Sequence, residues 1–264
     1  MTTHVRTTVF DRVVCGVDAS DAGVTAARVA GVIADPDGSL TLVSARDTSM
    51  ATHPGWNMEQ TLEELELEAL TALERGRSEA ASLHELQGKL IEGNPAQALL
   101  AEIESQDATS VVVGSHGASR ATGIALGSIS TSLLHQAPCS VLVARGSVDA
   151  GRWPRRIVVG IDGSDDSASA FEAASALADR LDAHLLAVVA TRDARVDLAA
   201  ARRISPACEE HDTKALDLLD HESESADLLV VGSRGFRLRA LGSLSERVAY
   251  EARCSVLVAR PTWP

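Results

Sequence analysis

The sequence predicts two α/β domains in tandem, each a parallel sheet wrapped by helices. Three observations carry this. Short runs rich in Val, Ile and Leu alternate with longer segments of helical periodicity, the order that builds parallel sheets. The opening strand-like run Arg12–Val17 leads into Asp18-Ala19-Ser20, and Ile157–Ile161 leads in the same way into Asp162-Gly163-Ser164. Cys139–Arg145 and Cys254–Arg260 are the same string, CSVLVAR. A chain that repeats both its opening and its closing strand is a duplication, and the expected boundaries are 1–146 and 155–264 with a linker over 147–154.

Within the first copy, Ser20 is a suitable N-cap for a helix through Val24, Ala27 and Ala30. The turn Asp35-Pro36-Asp37-Gly38 precedes a second strand, Ser39–Ala45. A polar loop, Thr48–Asn57, leads to a long helix from about Glu59 to Leu83 with Leu62, Leu65, Ala69 and Leu73 on one face. Glu63, Glu64, Glu66 and Glu68 read as its solvated acidic side. A third strand spans Glu85–Ile91, and Gly93-Asn94-Pro95 introduces a helix through Ala98, Leu99 and Ile103. Val111–Val113, a helix from Ser128 to His135 and a strand Cys139–Ala144 close the unit.

Composition narrows the function. Of 264 residues, 45% are apolar and 23% charged, enough for a sizeable core. The net charge of −13 argues against a nucleic-acid surface, which needs Lys and Arg to neutralise phosphates. With 3% aromatic residues a base-stacking platform is equally hard to build. No apolar run is long enough to cross a membrane, and MTTHVRTTVFDR has no signal-peptide core, so a cytoplasmic protein is expected. Cys15, Cys139, Cys208 and Cys254 form no metal or redox pair; the first, second and fourth read as small buried hydrophobes, Cys208 as the most exposed thiol.

The chemistry-bearing stretch is SVVVGSHGASRATGIALGSIS, Ser110–Ser130. It reads as a buried strand that breaks at Gly114, a loop of small residues, and a helix that starts near Gly127 and Ser128. Glycines let main-chain N–H groups approach an anion, and a helix N-terminus adds unpaired donors and partial positive charge. A phosphate is the expected ligand. The spacing Gly114-x2-Gly117-x9-Gly127-Ser128 matches neither a P-loop nor a dinucleotide fingerprint.

At these residues the chain resembles the universal stress protein family, whose ATP-binding members carry this glycine spacing before the penultimate helix. The resemblance spans both copies and implies a Rossmann-like or flavodoxin-like five-stranded sheet in each. It also implies ATP, with Mg²⁺, as the bound nucleotide. Asp18 falls where the family contacts adenosine, and Val43 where backbone at the end of the second strand meets adenine. A carboxylate there accepts from ribose or adenine; the plainer reading of Asp18 is an Asx turn or cap. For the triphosphate, backbone N–H groups of Gly114, His116, Gly117, Gly127, Ser128 and Ile129 are expected, with hydroxyls from Ser128 and Ser130. His116 reads equally as a solvent-side loop residue.

The second copy departs from this pattern. Asp162 follows Asp18 by 144 positions, Gly232 follows Gly114 by 118, and Gly242 follows Gly127 by 115. The copy has therefore lost 26 residues before its loop, largely after Ala190, and 3 within it. Three residues are about 10 Å of reach. Gly93-Asn94-Pro95 is replaced, on this reading, by His211-Asp212-Thr213, and Arg234, Arg237 and Arg239 crowd the loop. The matching residues Asp162, Gly232, Gly235, Gly242 and Ser243 mark either a domain kept to complete the pair or a site for a smaller or different anion held by arginines.

Three functions follow from these readings. The first is an ATP-binding regulator of the stress-response type, with nucleotide held mainly by the first domain. The second is a structural or partner-binding module without nucleotide, for an unidentified protein partner. The third is a weak ATP hydrolase; no defensible triad or metal cluster supports more than slow turnover, and no catalytic residue is assigned. Family members commonly pair through their last strands, so the resemblance implies pairing through the CSVLVAR segments, within a chain or in a homodimer.

Overall fold

The computed structural model describes residues 8–47, 58–80, 85–116, 126–149, 151–233 and 244–261. The chain divides into two compact units, one Phe10–Ala150 and the other built on Gly151–Pro264. Among the described residues no helix is long and apolar enough to cross a membrane.

In the first unit the order is β1 (Arg12–Gly16), α1 (Asp21–Ile33), β2 (Ser39–Arg46), α2 (Met58–Glu79), β3 (Glu85–Glu92), α3 (Pro95–Ser105), β4 (Ser110–Gly114), α4 (Ser128–Gln136) and β5 (Ser140–Ala144). Every described strand pair is parallel, in the order β3-β2-β1-β4-β5. The sheet grows outward from β1 to β3 and then resumes on the other side of β1 with β4. That reversal puts a crevice at the carboxyl ends of β1 and β4, where ligands bind in open α/β sheets. The central strands are buried on both faces, with Val14, Cys15, Leu40, Leu42, Val111, Val112, Val141 and Leu142 fully enclosed.

Helix α1 lies on this sheet through small residues, Ala26, Ala27 and Ala30, and Ser20 caps it by accepting from the N–H of Gly23 at 3.1 Å. Helix α2 buries Ala69, Ala72, Leu73 and Gly76. Leu62 and Leu65, expected on the same face, are only half-buried, because the helix meets the rest of the unit through its carboxyl half. It ends at Glu79, and the expected extension to Leu83 falls outside the described residues.

The second unit repeats the plan: β6 (Arg156–Gly160), α5 (Asp165–Leu181), β7 (His184–Ala190), α6 (Leu198–Ile204), β8 (Glu209–His211), α7 (Ala215–Ser223), β9 (Leu228–Gly232), α8 (Leu244–Glu251) and β10 (Ser255–Ala259). Its pairs are also parallel, in the order β10-β9-β6-β7-β8. A helix of seven residues, α6, stands where the first unit has the 22 residues of α2. The missing chain thus comes out of one crossover and leaves the sheet order intact.

Strand register corrects the sequence alignment between the copies. Val43 pairs with Lys89 and Val188 with Glu209, which makes Thr213-Lys214-Ala215 the counterpart of Gly93-Asn94-Pro95. His211-Asp212-Thr213, the expected counterpart, lies two residues too early. The same register matches two buried acids, Glu102 and Glu222, held by different cations. Lys89 of β3 reaches Glu102 at 2.5 Å, and Arg156 of β6 reaches Glu222 at 2.8 Å.

Candidate functional sites at two switch points

At the first switch point the described residues line a cleft of about 260 Å³. One wall comes from β1 and its exit, Gly16–Asp18, with Gly23 beneath. The second comes from Val43, Ser44 and Ala45 at the end of β2. The third runs from Gly114 and His116 to Gly127–Ser130 at the start of α4. Pro95 and Leu99 of α3 close the apolar side. The structure thus brings Asp18, Val43, Gly114, His116, Gly127, Ser128, Ile129 and Ser130 around one space. Gly117 lies outside the described residues.

Asp18 makes the Asx turn read for it and also lines the cleft. Its Oδ1 accepts from the N–H of Ser20 at 3.1 Å and from the Ser20 hydroxyl, which makes the Asx turn that starts α1. Among the described residues Oδ2 has no hydrogen-bond donor, and Asp18 lines the cleft. Gly23 explains the fit: a Cβ there would lie 2.4 Å from Asp18 Oδ1. Val43 is buried, and its carbonyl oxygen accepts from the N–H of Val17 at 2.9 Å, which ties the end of β2 to the exit of β1.

At the α4 end of the cleft, two groups expected to meet phosphate are engaged within the protein. The N–H of Gly127 donates to the Ser115 carbonyl at 2.7 Å, and the Ser130 hydroxyl donates to the Gly114 carbonyl at 2.7 Å. Gly127 is the N-cap of α4, in extended conformation without a side-chain cap. The first-turn N–H groups of Ser128, Ile129 and Ser130 have no partner inside a helix, and with the Ser128 hydroxyl they form the donor set. Gly114 must be glycine, because a Cβ would lie 2.8 Å from the backbone of Ala22. His116 is exposed, with its Nδ1 2.9 Å from the Ser115 hydroxyl.

Sequence reasoning missed Ser115, which is buried and holds both His116 and Gly127. It also missed Gly23, Pro95 and Leu99. Ser115 carried a weak signal, as a polar residue directly after a buried strand. Leu99 carried none beyond its helical periodicity.

The second switch point holds a larger cavity, about 670 Å³. Its floor copies the first. Asp162 Oδ1 accepts from the N–H of Ser164 at 3.0 Å, the N–H of Ile161 donates to the Val188 carbonyl at 3.0 Å, and the Ser245 hydroxyl donates to the Gly232 carbonyl at 2.7 Å. Val188 and Ser245 were not singled out in the sequence, although Ser245 follows Ser130 at the same 115-residue spacing as the loop glycine. Gly232 repeats the close approach of Gly114, since a Cβ there would stand 2.8 Å from the backbone of Asp166. Gly235, Gly242 and Ser243, like Arg234, Arg237 and Arg239, lie outside the described residues.

The thiols do not take part. Cys15, Cys139 and Cys254 are buried, and burial pushes the Cys15 pKa far up, so it is a neutral core residue. Cys208 is half-exposed, and its pKa is raised by desolvation and then by Glu210. Among the described residues no group of three or more His, Cys, Asp or Glu side chains is arranged to hold a metal ion.

Comparison with known proteins places this architecture. The model of the universal stress protein family matches residues 10–145, 154–222 and 208–260. A universal stress protein of Mycolicibacterium smegmatis is 31% identical, over 94% of this chain and 97% of that protein. Universal stress protein Rv2623 of Mycobacterium tuberculosis is 32% identical over 59% of this chain and 63% of its own length. Among solved structures, a universal stress protein from Archaeoglobus fulgidus superposes with a TM-score of 0.71 at 18% identity, covering 96% of this chain and 97% of that one. The family match covers both copies of the fold, and the chain belongs to the universal stress protein family.

Proposed function

We propose that the first unit binds ATP and that the chain acts as a nucleotide-responsive regulator in the stress response. The observation that carries this reading is the pairing, in one cleft, of Asp18, its Oδ2 without a donor among the described residues, with the unpaired first turn of α4. Asp18 offers an acceptor suited to a ribose hydroxyl or an adenine N–H. Val43, Ala45, Pro95 and Leu99 offer apolar walls for the base. Ser128, Ile129 and Ser130 offer N–H donors for phosphate oxygens. The residues therefore fit both ends of a nucleoside phosphate, and Mg²⁺ would accompany the phosphates. On this reading the protein is cytoplasmic and holds nucleotide rather than turning it over, with hydrolysis at most slow. A homodimer formed through the closing strands belongs to the same proposal.

Calorimetric titration of the full chain with Mg-ATP tests it. Saturable binding is expected, weakened about tenfold by Asp18→Asn, the equivalent of about 1.4 kcal/mol. Gly127→Glu, which sets a carboxylate at the N-cap where phosphate would arrive, is expected to abolish it. Absence of binding by the unmodified chain, or unchanged affinity in both variants, would end the proposal.

A further inference from the structure

We propose that the second unit's cavity is a separate site for a small organic anion with an apolar body, held by Lys214 and Arg195 at the β7–β8 end. The charge layout of this cavity differs from that of the first cleft. In the first cleft, the end formed by β2 and the start of α3 is uncharged: Val43, Ser44, Ala45, Pro95 and Leu99. Its anion-binding groups lie at the opposite end, beyond β4. In the second unit the end beyond β7 and β8 carries Arg195 and Lys214 instead.

Both cations reach that position through the differences between the copies. Lys214 occupies the helix-capping place of Asn94. Asn94 uses its side chain as a cap, accepting from the N–H groups of Ala96 and Gln97 at 3.1 and 3.2 Å. Lys214 makes no such bond; Asp193 reaches across and accepts from the N–H of Ala215 at 2.6 Å. The cap is thus supplied by another segment, and the Lys214 ammonium takes no part in it. Arg195 stands in the short crossover that replaces the chain around α2. That crossover is pinned to the cavity rim, where the N–H of Asp197 donates to the Asp162 carbonyl at 2.9 Å. Among the described residues neither Lys214 nor Arg195 makes a side-chain hydrogen bond or an ion pair.

Of the acids in the lining, Asp193 stands at the same end as the two cations, with its carboxylate engaged as the cap of α7. Asp162 and Asp193 each accept from the backbone, as given above, and Asp166 lies in the first turn of α5 by Gly232, on the β9 side. Between the two ends the floor is apolar, with Ile161, Val188, Ala190, Leu218 and Leu219. A volume of about 670 Å³ lies within the range of small-molecule sites. An aromatic or aliphatic body on that floor, with one phosphate or carboxylate between a lysine and an arginine, satisfies the layout.

The test uses 1-naphthyl phosphate as probe, with uncharged 1-naphthol as control, followed by naphthyl fluorescence on the full chain. Saturable binding of the phosphate is expected, at least about tenfold tighter than the naphthol. Lys214→Gln and Arg195→Gln should each weaken it about tenfold, while Lys214→Arg retains it. Both side chains are exposed, so these variants keep the fold. ATP binding should be unchanged in them, and Asp18→Asn should leave the probe's affinity unchanged. No saturable binding, equal affinity for the naphthol, unaltered affinity in both glutamine variants, or loss of the probe in Asp18→Asn would each overturn the proposal.

Discussion

The two clefts share a floor and differ at their rims. Each has an Asp-x-Ser turn, a strand-end carbonyl tied to the exit of the first strand, and a serine hydroxyl bonded to the glycine that ends the fourth strand. These features are hydrogen bonds and close approaches that hold the sheet and helices together, so each copy keeps them for its fold. The rims are held by different groups in the two copies. There the first unit has Asn94 as a cap and uncharged walls, and the second has Lys214, Arg195 and a shortened crossover. On the readings proposed above, the two copies differ in ligand at the rim while sharing a floor.

The largest expected effect tests whether the floor is structural. Gly114→Ala and Gly232→Ala each force a methyl group against backbone at 2.8 Å, which must shift. Losses of about 2–3 kcal/mol are expected for both in urea denaturation. A large loss in one copy alone would break the equivalence of the two floors.

The buried acids sharpen the comparison next. Glu222→Ala leaves Arg156 without its buried partner and should cost about 2 kcal/mol, below the full figure for a buried pair because Arg156 is 30% exposed. Glu102→Ala removes the acceptor of both Lys89 and the Gln106 amide, and Lys89 is 41% exposed, so a smaller loss is expected. Thermal unfolding of the two variants gives the order.

The serine bonds should give smaller and matched effects. Ser130→Ala and Ser245→Ala each remove one hydrogen bond to a strand-end carbonyl, about 1 kcal/mol in stability. Ser130→Ala alone should also weaken ATP, because it frees the start of α4 from β4; Ser245→Ala should leave ATP untouched.

The smallest effect concerns the surface of the second unit, where Arg192 meets Asp212 and Arg202 meets Glu210. Hydrogen bonds from the arginines lower the pKa of Asp212 and of Glu210 in the folded state. A lowered folded pKa means the stabilisation is present above the unfolded carboxylate value, about 4, and is lost as pH falls through the folded value. Both pairs lie at the surface and are screened by salt. A comparison of melting temperatures for Asp212→Asn and the unmodified chain should show a slight difference at neutral pH that disappears in acid or at high salt.

Much of this was legible in the sequence because it is written in local signals. Strand and helix order came from periodicity, the duplication from CSVLVAR, and the helix start at Ser128 from the glycine before it. The capping of α1 by Ser20 was equally local. What was not legible depends on pairing across the chain. The true counterpart of Asn94 is Lys214, and only strand register reveals it, since sequence similarity across a shortened crossover slides by two residues. The engagement of Gly127 N–H and the Ser130 hydroxyl was hidden for a related reason: the motif gives the spacing of Gly114, Ser115 and α4 along the chain, not which atoms meet across the loop. The charge at the β7–β8 end was invisible until two segments, one after β7 and one after β8, met at a single rim.

The serine bond from α4 to Gly114 has a kinetic side. Because the helix start is fastened to the strand end, the donors of Ser128 and Ile129 wait in one orientation instead of searching for it. On the proposed reading, an arriving phosphate would meet a partner whose ordering is already complete on that side, so encounter and capture would fall close together in time. Residence would then be set on the opposite side of the cleft, by how firmly Asp18 and the apolar walls hold the rest of the proposed ligand.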